Sequence, residues 1–256
     1  MFSRLLGKGS FLDSHVEAWC LETWAWMLRN LGGLERLVHT PLVTPSPAFF
    51  PASEASGDAR GAHVFACVKR LMGMEGWDCR LEPYDRRDAN ARVGEYWFVH
   101  SRAAPNGTFS ARDGAVRIAY ARDLLKDPAS LVGTFAHELC HYLIAVVGEP
   151  LPDGDDTMEL ATDLAVAFSG FGIFGANRAF SFEGHQDAFG HGWRSQRNGY
   201  LSERTWAFAI ALFLSLRAEP DAAQSWLKPS IASDVAKACR YLGRNPHILE
   251  GLRAAS

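Results

Sequence analysis

"FAHELCHYLI", Phe135 to Ile144, holds two histidines four residues apart and a glutamate directly after the first. Whether it is a metal-binding helix or an ordinary core helix decides how the rest of the chain must fold around it. Its apolar residues recur at helical spacing. On a helix, His137 and His141 project from one face, so two imidazole nitrogens can reach one metal ion. Glu138 lies about 100° round the helix from His137. There it can touch a water on the ion without displacing it. Zinc lowers the pKa of such a water toward ~7, and a neighbouring carboxylate takes the proton. HExxH is therefore a mechanism expressed as spacing. The same letters also arise by chance, and two histidines leave a site incomplete. A catalytic zinc takes three protein ligands and keeps one position for water.

The flanks of the stretch fit a helix. Asp127 is an N-cap, Pro128 occupies the first helical position and Gly148 ends the segment. A third histidine in the pattern HExxHxxGxxH is excluded, because Ile144 and Val147 stand at the positions that pattern needs. The better candidate lies on the next helix, "MELATDL", which Thr157 opens. Glu159 and Asp163 share one face there, and Glu159 follows His141 by 18 residues. A short loop lets this helix fold back and present Glu159 to the metal. Asp163, one turn on, is placed to accept the other ring N–H of a ligating histidine. Rival third ligands are Glu149, Asp153, Asp155 and Asp156 in the connecting loop. Cys140 reads as a buried core cysteine, since a thiolate there would fill the position water needs.

HELCH (137–141) together with ELATD (159–163) resembles the gluzincin group of zinc metallopeptidases, the thermolysin-like enzymes and the compact minigluzincins. The short gap between the two elements is closer to the compact members. The resemblance covers some 27 of the 256 residues. It implies zinc held by His137, His141 and Glu159, with Asp163 behind a ligand and Glu138 as general base. It implies hydrolysis of a peptide or protein substrate. A downstream His or Tyr is expected to hydrogen-bond the oxyanion: His191, with His185 and Tyr200 as alternatives. It also implies a mixed sheet under the HExxH helix, with an antiparallel edge strand bordering the cleft. "AVRIAY" (115–120) is in place to be that strand. The rival is an inactive, zinc-stabilised binding or regulatory protein on the same scaffold.

Outward from the motif, the chain predicts an α+β protein. Helices are expected over 13–38, broken at Gly32–Gly33, and over 63–77, ending near Gly76. Residues 40–61 read as loop. Extended segments follow at "CRLEPY" (79–84), "GEYWFVH" (94–100) and "AVRIAY", the last two forming an antiparallel pair across a polar loop. After the motif come helices at 157–168, 201–217 (capped by Ser202) and 229–243, with a glycine-rich irregular stretch at 169–199. The expected division is an α/β part, 1–148, ending in the HExxH helix, and a helical part, 149–256, carrying the third ligand.

Composition narrows the class further. Hydrophobic residues are 48% and charged residues 21%, with a formal net charge of −3. No basic excess exists to neutralise phosphates, which argues against a nucleic-acid partner. No uninterrupted apolar run reaches the ~18 residues of a membrane span. The five cysteines are spread without a CxxC pair. They read as mostly buried thiols of a reducing compartment, so the cytoplasm is expected.

Overall fold

The computed structural model describes residues 9–86, 106–112, 115–183 and 201–256. In chain order it comprises helices α1 (Ser14–Asn30), α2 (Gly33–His39) and α3 (Gly57–Leu71), then strands β1 (Arg80–Tyr84), β2 (Gly107–Arg112) and β3 (Ala115–Ala121). Helices α4 (Pro128–Ala145), α5 (Met158–Phe168), α6 (Gly172–Glu183), α7 (Glu203–Leu216), α8 (Pro229–Arg244) and α9 (Pro246–Ala254) complete it. The protein is α+β. Its contacts divide it into two units, one of Pro45–Val146 and one of Met1–Thr44 with Val147–Ser256. The first 44 residues thus group with the C-terminal helices and not with the sheet.

In the Pro45–Val146 unit, the three strands form a mixed sheet in the order β1-β3-β2. β1 runs parallel to β3, with Arg80 opposite Arg117. β2 runs antiparallel to β3, with Gly107 opposite Tyr120 and Phe109 opposite Ile118. "AVRIAY" is therefore the central strand and not the edge; both its sides are hydrogen-bonded. Its antiparallel partner lies within the stretch read as a loop, while "GEYWFVH" falls outside the described residues. Pairing on both sides suits β3, whose Ile118 and Tyr120 are fully buried. These two face α4, where Tyr120 meets the edge of the Phe135 ring at 5.3 Å. Phe65 of α3 packs on Phe135 from another side at 5.1 Å. Each such ring or Ile buried contributes about 1.5–3 kcal/mol.

Helix α4 starts as its sequence directs: the Asp127 carboxylate accepts the Ser130 N–H at 3.2 Å, and Pro128 sits in the first turn. α3 begins earlier than the apolar period suggests and stops at Leu71. Gly73, at φ +69°, takes the left-handed turn that ends it, and the Met74 N–H reaches back to the Lys69 carbonyl at 2.8 Å. The expected end at Gly76 is thus displaced by a stronger stop signal.

In the other unit, α1 is apolar on most sides and deeply buried, with Trp24 against the edge of Phe168 of α5 at 5.6 Å. The buried carboxylate of Glu17 accepts the Leu12 N–H at 2.9 Å and the Tyr241 hydroxyl at 2.6 Å. This ties α1 to α8. α7 is buried along nearly its whole length, and Ser202 caps it through the Thr205 N–H. Arg217, at its end, donates to the Leu37 and Val38 carbonyls at the end of α2. Residues 172–183, read as irregular, form α6. Its Gly175 is a close approach, because a Cβ there would enter the Trp206 ring. Beyond the helix expected at 229–243, Pro246 opens a further one, α9. No helix among the described residues is long and apolar enough to cross a membrane.

Candidate metal centre

Thr134, His137, Glu138 and His141 lie on successive turns of one helical face of α4. The Nε2 atoms of His137 and His141 stand 3.1 Å apart, with their rings near perpendicular at 80°. Two nitrogens bound tetrahedrally at 2.0–2.1 Å from zinc sit about 3.4 Å apart, so the pair is already at ligating separation. Glu159, in the first turn of α5, supplies a carboxylate oxygen. One ligand atom from each of His137, His141 and Glu159 lies within 4.8 Å of the others. Two imidazoles and a carboxylate are a donor set suited to a divalent transition metal. These residues fit a metal ion.

Glu138 is buried, 6% exposed, whereas both histidines are half-buried and Glu159 is exposed. The three candidate ligands are thus more exposed than the carboxylate beside them. On its sheltered side stands Gly107 of β2. A Cβ at that position would lie 2.9 Å from Glu138 Oε1 and 2.5 Å from Thr134 Cγ2, with the Ala119 carbonyl oxygen at 3.1 Å. Strand and helix approach this closely only because residue 107 has no side chain.

Phe109, two residues along β2 on the same face, backs the second histidine. Its ring is nearly parallel to the His141 imidazole, at 10° and 6.2 Å between centroids. It also stacks on Tyr142 at 5.9 Å, and Trp77 meets Tyr142 edge-on at 4.8 Å. The Tyr142 hydroxyl donates to the Asp78 carbonyl at 3.2 Å. This aromatic row restrains the plane of the His141 ring. Sequence reading did not single out Gly107 or Phe109. The signal available was "NGTF", a turn pair followed by a β-former, inside a stretch dominated by polar residues.

Asp163 is buried, and its Oδ2 accepts the Leu201 N–H at 3.1 Å. It thereby anchors the chain just before α7, a task its spacing did not suggest. The loop acids Glu149, Asp153, Asp155 and Asp156 do not join the metal-capable group, and neither does Cys140, which is fully buried in α4. Among the described residues, none of the five cysteines forms a disulfide. His185, His191 and Tyr200 lie outside the described residues.

Comparison with known protein families, with curated proteins and with solved structures returned no match.

Proposed function

We propose that this chain is a zinc-dependent peptidase of gluzincin type, hydrolysing peptide bonds in the cytoplasm. The observation that carries the reading is the convergence of His137, His141 and Glu159 with a sheltered glutamate next to the first histidine. A site that only holds metal for stability has no need of a carboxylate at that position.

Zinc, when bound, supplies the positive charge that polarises a peptide carbonyl and acidifies water. Glu138 accepts the proton of the attacking water on its carboxylate and returns it to the amide nitrogen of the leaving amine. His137 and His141 orient the ion, and the Phe109 ring holds the second of them. Asp163 steadies a ligating histidine from behind. His191 donates a hydrogen bond to the oxyanion. An extended substrate runs antiparallel to β2, held by main-chain hydrogen bonds. β2 takes this part in place of "AVRIAY" because it is the outer strand of the described sheet, on the side of Glu138.

The test is metal content of the purified chain, followed by turnover on a mixed peptide library. One zinc per chain and cleavage that disappears in Glu138→Gln is the expected result. Zinc without cleavage of any peptide would favour an inactive binding protein, and a protein free of metal would remove both readings.

A further inference from the structure

Thr134 stands one turn before Glu138 on α4 and is 2% exposed. Its hydroxyl has no hydrogen-bond partner among the described residues. A buried hydroxyl left in this state is a net cost to the fold. A threonine within a helix has an easy outlet in the carbonyl one turn back, and Thr134 does not use it. What its side chain turns toward β2 is the methyl. Thr134 Cγ2 and Glu138 Oε1 crowd the same point, 2.5 and 2.9 Å from where a Cβ of residue 107 would stand.

Methyl and hydroxyl are close in size, and one 120° step about χ1 brings the hydroxyl to the place the methyl holds while the methyl moves to that of the Cβ hydrogen. With the hydroxyl in the methyl's place, the orphan donor faces the Glu138 carboxylate as an acceptor. A glutamate has three side-chain torsions to lose. A carboxylate with one oxygen held keeps the other aimed in one direction.

We propose that Thr134 is a positioning residue for Glu138: its hydroxyl donates to the Glu138 carboxylate and fixes its orientation toward the metal-binding face of α4. The role rests on the reading of Glu138 as the proton acceptor; the bond itself does not. Gly107 belongs to the same device, since it leaves the space in which the two side chains meet.

The bond is tested without any substrate, by a thermal-denaturation cycle on the zinc-loaded chain, Thr134→Val, Glu138→Met and the double variant. Coupling by one charge-assisted bond should appear as a non-additive shift in Tm of about 2–4 °C. The role is tested by kinetics on a peptide the chain cleaves. Thr134→Val should lower kcat on the order of tenfold with KM and zinc content unchanged. Thr134→Ser, which keeps the hydroxyl, should restore kcat although it removes a methyl from the core. Additive Tm shifts overturn the proposal, as does a Thr134→Val protein that is more stable and has unchanged kcat. Coupling in a chain that cleaves no peptide would leave the bond standing and remove the hydrolytic reading instead.

Discussion

At the scale of single residues, each acidic group near the metal centre has a separable effect. On the proposed peptidase reading, Glu138→Gln should keep zinc and lose turnover by about 10²–10⁴-fold, because the proposed ligands survive and the proposed base does not; metal analysis beside peptide hydrolysis checks both halves. Glu159→Ala should lose zinc almost as severely as His137→Ala, and a variant that retains full-strength zinc would sink the assignment of the third ligand. Asp163 is a different case. Its carboxylate holds the Leu201 N–H in a buried place, so Asp163→Ala should cost about 1–3 kcal/mol of stability as well as weakening zinc ~10–100-fold. Asp163→Asn, which retains an acceptor, should recover much of the stability in a urea titration. The metal-capable triad was legible in the sequence because a helix converts spacing into direction. The anchoring role of Asp163 was not legible, because its partner is a backbone amide 38 positions away that no pattern marks.

At the scale of elements, helices read more clearly than strands. α1, α4, α5, α7 and α8 carry a sustained apolar period, and Asp13, Asp127 and Ser202 cap the first, second and fourth of them. β2, "GTFSAR", has one aromatic and one β-branched residue and is framed by turn formers; pairing with β3 makes it a strand, and pairing is a long-range property. α6 was obscured by glycines that serve close packing, Gly175 against Trp206 and Gly172 against Ile210. The contact between β2 and α4 yields its own prediction. Gly107→Ala should press a methyl into Thr134, Glu138 and the Ala119 carbonyl, costing about 1–3 kcal/mol and displacing the Glu138 carboxylate. Reduced Tm with full zinc content and reduced kcat is the expected signature. An unchanged kcat would show that strand and carboxylate are independent.

At the scale of the whole molecule, the grouping of the first 44 residues with the C-terminal helices could not be read from local pattern, since it depends on which apolar faces meet. Two tyrosines give the sheet-bearing unit a pH signature. Burial is the first cause that pushes Tyr84 and Tyr120 up to about 12, with acidic neighbours including Asp58 at Tyr120 adding to it. An unfolded tyrosine loses its proton near 10. The folded state binds those protons more tightly, so this stability is whole below about pH 10 and is lost as pH rises toward 12. Tm followed through that window should fall, and Tyr120→Phe should flatten the fall; a Tm level to pH 12 would contradict it. The same discontinuous grouping sets an order of events during synthesis. α1 leaves the ribosome early, yet Phe168, which covers Trp24, and Tyr241, which satisfies Glu17, are translated far later. At elongation rates of about 5–20 residues per second that delay is on the order of ten seconds. For that time Trp24 lacks Phe168 and Glu17 lacks Tyr241, so a nascent helix with three tryptophans keeps apolar surface open to non-native contacts.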